Sequence, residues 1–264
     1  LAYALGATVA LMTAVFILSR ILLRFGLLPL AAVFSLSGFN SALLYLLVFP
    51  GTVIHELSHY LACLALGVRV RQVRLFSPQK DGAIGWVLSD PADPVRRTLI
   101  ALAPFLGGSL AIYALVRFGL PAGQLDPLTL APGDLVEGFR SSLISIVDIL
   151  KAANPRQLST WLVLYVLFSL GFAVAPSNED LAPLALYGLL GMALVLALGI
   201  ADQYYEWGLA QNALINSVAS WLTGILQRLN ALLLFTAAVV AFGTLVIVPF
   251  AMVGLWLRSG LTSS

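Results

Sequence analysis

The sequence predicts an all-α polytopic membrane protein with about six transmembrane helices. Of its 264 residues, 60% are hydrophobic and only 10% are charged, and the mean hydropathy is +0.98. Soluble domains are about half apolar and a quarter charged, so this composition excludes a soluble globular protein. It also excludes intrinsic disorder, which requires few apolar residues. The net charge of +2 is small, and no basic cluster alternates with aromatic residues, so nucleic-acid binding is not expected.

Apolar runs of about 20 residues, the length that crosses a bilayer, define the predicted spans. Residues 2–19 form a span rather than a signal peptide, because a basic leader and a clear cleavage site are lacking. Residues 25–37 are apolar but short, so the first part of the chain crosses either once or twice. The other predicted spans are 41–66, 97–118, 157–175, 181–201 and 229–257. With no internal repeat, residues 1–264 form a single membrane-embedded domain.

The connection 67–96 is predicted to be a cytoplasmic β-hairpin. It contains six of the fourteen basic residues, and basic loops favour the cytoplasmic side. Val68 and Val70 alternate with arginines, and the alternation slips at Gln72, as a β-bulge would explain. Asp81-Gly82 marks the turn before a return strand over 83–88. The hairpin either binds substrate as an added strand or shields the site at the membrane surface.

The connection 119–156 is predicted to be an interfacial helix region. After turn signals, residues 134–151 carry apolar side chains at helical spacing, a pattern that suits a helix lying in the membrane interface. A second interfacial helix is predicted over 203–228, where aromatic residues are potential interface anchors.

The two histidines of the chain occur in the run His55-Glu56-Leu57-Ser58-His59. Helical residues four apart lie on one face, so both imidazoles can reach one tetrahedral zinc ion. Glu56 is close enough to accept a proton from water there. This is the His-Glu-x-x-His arrangement of metallohydrolases, and ionisable groups inside a span are functional by default. The structural alternative is a hydrogen-bonded polar cluster between helices.

A catalytic zinc site needs a third protein ligand. Cys63 is about 12 Å from His55 along the helix axis, too far to share one ion with both histidines, and we expect it to be a packing residue. Glu179 and Asp180 are the best acidic candidates, since the break between spans 157–175 and 181–201 returns to the same membrane side. The alternative for Asp180 is a capping box with Ser177. Gly107, Gly108 and Ser109 are expected to allow close helix packing.

The run from Phe49 to Tyr60, Phe-Pro-Gly-Thr-Val-Ile-His-Glu-Leu-Ser-His-Tyr, followed by Gly67-Val68 and a basic hairpin, resembles the zinc metalloproteases of the site-2 protease type. The resemblance implies that His55 and His59 bind zinc and that Glu56 is the general base. In this family the third ligand is an aspartate of a later helix. Related membrane proteins have a Pro-Ser-x-x-Asp run, and this implies Asp180 as the ligand, with Glu179 as the alternative.

The sequence and the resemblance together predict a membrane-embedded zinc metalloprotease that hydrolyses peptide bonds of membrane-associated proteins. We expect an integral protein of a prokaryotic plasma membrane, with its active site nearer the cytoplasmic side. The alternative is a zinc-binding membrane protein without proteolytic activity, such as a transporter, a sensor or a degenerate scaffold. A transporter would be expected to have repeated halves and several intramembrane acids along a path. No substrate-binding residue or oligomeric state follows from the pattern.

Overall fold

The computed structural model describes residues 1–30, 41–77, 84–119, 134–152, 154–174, 177–205 and 212–262. These residues are mostly helical, with one small antiparallel sheet, and this confirms the helical fold with a hairpin. The elements are α1 (Ala2–Ile21) with its π-helical extension (Leu22–Leu27), α2 (Ser41–Ala65), β1 (Val70–Arg74), β2 (Trp86–Ser89), α3 (Pro94–Gly119), α4 (Leu135–Ala152), α5 (Leu158–Ala173), α6 (Asn178–Tyr205) and α7 (Ala213–Thr262).

Three helical stretches among the described residues are long and apolar enough to cross a membrane. They are Tyr3–Leu30, Pro94–Gly119 and Ala213–Leu257, of 28, 26 and 45 residues. Two shorter apolar helices are Leu158–Ala173 and Ala193–Tyr204. This pattern is compatible with an integral membrane protein. Residues 31–40, which decide whether the first part of the chain crosses once or twice, lie outside the described residues.

The structure differs from the prediction at the C-terminal end, where one helix replaces two. Helix α7 runs for 50 residues, about 75 Å at 1.5 Å per residue. It begins at Asn212, whose side-chain oxygen accepts the backbone N–H groups of Leu214 and Ile215 at 3.0 and 3.2 Å. The prediction of a separate helix over 203–228 is therefore wrong, because residues 213–228 are the first part of α7. Residues 206–211 lie outside the described part of the chain. The sequence has no proline or glycine at the predicted boundary between residues 228 and 229 that would end a helix there.

Helix α4 has the predicted amphipathic pattern, but its apolar face packs against protein. Ile146 and Ile149 are buried in a cluster with α3, α5 and α7, and Phe139 and Leu143 pack at its edge. The helix begins after Asp134, which accepts the N–H of Val136 at 2.8 Å. An apolar stripe suits a lipid surface and a helical bundle equally well, so the sequence pattern could not distinguish the two. Residues 120–133 of the predicted interfacial region lie outside the description.

The core is built around the middle of α7, where residues 231–238 are all buried. One apolar cluster joins this segment to α1, α3 and the end of α5, and a second joins it to α3, α4 and α5. Polar contacts add to the α1–α7 packing: Asn230 donates to Ala4 O at 3.1 Å and accepts from the Thr8 hydroxyl at 2.7 Å. The core therefore fixes the helices that surround α2.

A glycine ends α2 and sends the chain into the hairpin. Gly67 has φ +66°, and the N–H groups of Gly67 and Val68 bond to Leu64 O and Cys63 O at 3.2 and 2.8 Å. These two bonds form a Schellman motif, which favours glycine at this position because it lacks Cβ.

The hairpin returns along α2 and packs against it. Strands β1 and β2 are antiparallel, with the register irregularity between Val70 and Gln72 that a β-bulge produces, as predicted. The Phe76 ring lies edge-on against Phe49 of α2, with ring centroids 4.8 Å apart. The described part of the hairpin is therefore held beside the helix that carries the two histidines. The predicted turn at Asp81-Gly82 is outside the described residues.

Candidate metal centre

His55 and His59 lie on one face of α2, one turn apart. Their ring centroids are 5.0 Å apart, and the side chains are only 11% and 12% exposed. Each ring is oriented by a backbone carbonyl of another helix. His55 Nδ1 lies 2.6 Å from Ala173 O, at the end of α5, and His59 Nδ1 lies 2.9 Å from Ile100 O in α3. A carbonyl oxygen can only accept a hydrogen bond, so each Nδ1 carries the proton and donates it.

Asp180 meets the histidines from the first turn of α6. Its Oδ2 atom lies 3.9 Å from His55 Nε2 and 3.5 Å from His59 Nε2. The same oxygen accepts the backbone N–H and the hydroxyl of Ser177 at 2.9 and 2.7 Å, and the Asp180 N–H donates to Ser177 Oγ at 3.2 Å. These reciprocal bonds form a capping box. The predicted capping box is therefore present, and the same Asp180 oxygen lies close to both histidines.

The three groups form a set that could hold a metal ion. One ligand atom from each of His55, His59 and Asp180 lies within 4.8 Å of the others. With Nδ1 protonated, Nε2 of a neutral imidazole is an acceptor, so two nitrogen lone pairs face a carboxylate oxygen. This arrangement is repulsive unless a cation neutralises it, and either a proton on one ring or a shared metal ion would do so. Partial burial strengthens the effect because there is less water to screen the charges.

Glu56 lies beside the histidines but outside the three-residue group. It lines a cavity of about 230 Å³ together with His55, and the other walls come from α1, the hairpin, α5 and Ser177. Thr52 and Gly85 border the same space. The cavity places a carboxylate next to a candidate metal centre, with room for water.

A proline in α2 explains part of the scaffold that holds His55. Pro50 lies inside the helix, and it has no N–H to donate to the carbonyl four residues earlier, that of Leu46. The Tyr165 hydroxyl of α5 donates to Leu46 O instead. Ser169, one turn further along α5, accepts the Gly51 N–H through its hydroxyl at 2.9 Å. Helix α2 runs through Pro50-Gly51 without interruption, and α5 satisfies these backbone groups.

The contacts of α5 were missed from the sequence. The only signal for them was Pro50 itself, which leaves a carbonyl four residues earlier in need of a donor. The backbone acceptors Ala173 O and Ile100 O had no sequence signal, because every residue has the same backbone carbonyl whatever its side chain.

Close packing around α2 agrees with the small residues identified in the sequence. Gly51 lies against the Ser169 carbonyl, and Gly107 lies against the Ser58 side chain, so neither position has room for a Cβ atom. A Cβ on Gly108 would lie 2.8 Å from Val174 Cγ2. Cys63 is buried, 1% exposed, and is not in the three-residue group. The Glu179 side chain lies outside the described part of the chain.

Comparisons of the chain with protein-family models, with curated protein sequences and with solved structures give no match.

Proposed function

We propose that this protein is a membrane-embedded zinc metalloprotease that cleaves peptide bonds of membrane-associated substrates. The observation that carries the proposal is the convergence of His55 Nε2, His59 Nε2 and one Asp180 oxygen within 4.8 Å. Glu56 and a cavity with room for several waters adjoin His55. Two histidines and one carboxylate are a ligand set of catalytic zinc sites, in which the fourth position is left open.

Each side chain of the site has a distinct role in the proposed reaction. His55, His59 and Asp180 would hold the ion, which supplies Lewis acidity and makes water more acidic. Glu56 accepts a proton from the attacking water and then donates it to the nitrogen of the leaving amine. The carbonyls of Ala173 and Ile100 accept from Nδ1 of the two rings, so Nε2 of each neutral imidazole is available to bind the ion.

The cavity has room for water beside the candidate site. About 230 Å³ corresponds to roughly seven or eight waters at about 30 Å³ each. The backbone hydrogen bonds of an α-helix occupy its peptide carbonyls, so the substrate would enter as an unwound segment, which exposes the peptide carbonyl for attack.

The proposal includes an orientation in the membrane. The chain would cross the bilayer about six times, with the hairpin and the open side of the cavity facing the cytoplasm of a prokaryotic cell. Arginines of the hairpin, among them Arg69, Arg71 and Arg74, favour that side by the positive-inside tendency.

The test uses the full chain in lipid vesicles with a membrane-anchored model peptide. We expect about one zinc per chain and zinc-dependent cleavage. The Glu56→Gln variant should keep the zinc and lose cleavage by at least about 100-fold, since general acid–base catalysis contributes about 10²–10⁴-fold. Glu137→Gln is the matched control, because Glu137 is an exposed carboxylate on α4 paired with Arg140.

Cleavage by Glu56→Gln at the wild-type rate would refute the mechanism. Stoichiometric zinc without cleavage of any peptide by the wild-type chain would instead support the alternative, a zinc-binding membrane protein that is not a protease.

A further inference from the structure

The hairpin approaches α2 closely at Gly85, beside Glu56. A Cβ atom added to Gly85 would lie 2.8 Å from Glu56 Cγ, 2.9 Å from Leu75 O and 3.0 Å from Arg74 O. Carbon atoms in favourable contact are about 3.5–4.0 Å apart. Position 85 therefore has no room for any side chain while Glu56 keeps its present conformation.

The need for glycine at position 85 comes from this close approach. Among the described residues, the glycine with a positive φ is Gly67, so the backbone conformation at Gly85 is open to other residues. Two of the three neighbouring atoms are carbonyl oxygens at the end of β1 and just after it. Both oxygens belong to the hairpin backbone. The two sides of the hairpin are joined here by a hydrogen bond from Ser77 N–H to Ile84 O at 2.6 Å. The third neighbour, the Glu56 side chain, is the group that can move.

From this contact we infer that Gly85 is a positioning residue, which holds the Glu56 side chain in the conformation that reaches the attacking water. This role rests on the proposed function, because it assumes that Glu56 is the general base. Because position 85 lies so close to Glu56 Cγ, the Glu56 side chain has little room to move toward the hairpin. A general base must come within about 2.6–3.2 Å of the group that it deprotonates, so a small displacement of its carboxylate slows the reaction.

Kinetics provide the first test. Gly85→Ala should lower kcat by about 10- to 100-fold, the effect expected when a catalytic group is displaced by about 1 Å. KM and zinc content should not change, because the three atoms nearest to the new methyl group belong to Glu56, Leu75 and Arg74 and not to the candidate ligands. The loss should be the same for peptides with small and with large side chains next to the cleaved bond. Gly6→Ala is the control, since a Cβ on Gly6 meets nothing within 4 Å.

Two kinetic outcomes would overturn the inference. One is an unchanged kcat. The other is a higher KM confined to peptides with large side chains, which would mean that the new methyl group only narrows the cavity.

A double-mutant cycle on thermal stability tests the contact without relying on activity. Glu56→Ala removes the Cγ atom that position 85 would meet. Gly85→Ala should therefore lower Tm in the wild-type background and should lower it less in the Glu56→Ala background, where only the contacts with Leu75 O and Arg74 O remain. Equal losses in both backgrounds would place the strain at the carbonyls of Leu75 and Arg74, contradicting the inference.

The cycle also covers a Gly85→Ala protein that fails to fold. Recovery of folded protein by adding Glu56→Ala would support the contact, and failure of the double variant would overturn it. If the wild-type chain cleaves no peptide in the presence of zinc, the proposed function fails, while the Tm cycle still decides whether Gly85 constrains Glu56.

Discussion

The two imidazole rings owe their orientation to single carbonyl groups. Ala173 O and Ile100 O face Nδ1 of His55 and of His59, so each Nε2 presents its lone pair to Asp180. The spacing of the histidines was readable from the sequence because helix geometry alone puts residues four apart on one face. The carbonyls belong to other helices, and nothing in the local sequence could identify them.

At Ser177 and Asp180 we expect helix capping and metal binding to be separable by substitution. Ser177→Ala removes the hydroxyl of the capping box and should cost about 1 kcal/mol of stability while zinc content stays near that of the wild type. Asp180→Ala removes the cap and the candidate ligand, so both stability and zinc content should fall. Thermal melts and metal analysis of the two purified variants make the comparison. Equal zinc content in both would show that Asp180 only caps α6.

The alternative ligand is tested in the same assay. We expect Asp180→Ala to lower zinc content far more than Glu179→Ala, because the Asp180 oxygen is within 3.9 Å of both Nε2 atoms. The opposite order would assign the ligand to Glu179.

Among the elements, α5 acts as a scaffold for α2. It contributes the Tyr165 hydroxyl, the Ser169 hydroxyl and the Ala173 carbonyl, which bond along α2 at Leu46, Gly51 and His55. Hydropathy predicted both helices and their approximate bounds. It could not predict that α2 passes through Pro50 unbroken, because the compensating groups come from a segment more than a hundred residues later.

A double-mutant cycle at Pro50 and Tyr165 should measure this compensation. Tyr165→Phe removes the donor to the Leu46 carbonyl and should cost about 0.5–1.5 kcal/mol, the net contribution of a typical hydrogen bond. In the Pro50→Ala background the new N–H can bond to Leu46 O, so Tyr165→Phe should cost much less. Denaturant unfolding of the four proteins measures the coupling, and additive effects would contradict the role of Tyr165.

For the molecule as a whole, the candidate site links segments that are distant in sequence. His55 and His59 come from α2, and Asp180 comes from the start of α6. The resemblance to site-2 proteases was needed to select Asp180 from two adjacent acids, since composition and spacing left both open. The three-dimensional contacts at Gly85 and Ser169 depend on how the hairpin and α5 pack, and no sequence pattern identified Glu56 and Gly51 as their partners.

Metal binding across α2 and α6 should stabilise the folded chain. At free zinc about 100 times Kd the gain is about 2.7 kcal/mol, so a chelator should lower Tm and added zinc should restore it. Asp180→Ala should remove most of this response, whereas Glu137→Gln on the exposed face of α4 should keep it. If neither chelator nor added zinc changes the Tm of the wild-type protein, this would argue against a bound ion.

Because one aspartate both caps α6 and faces the imidazoles, a homologue without the proposed metal site would still be stabilised by the acid at the start of that helix. The Ser-x-x-Asp run would then be retained for its role in helix capping, while the histidines could be substituted. When activity is assigned among future homologues of this chain, the histidine pair should accordingly be the diagnostic signature, and the aspartate alone should carry little weight.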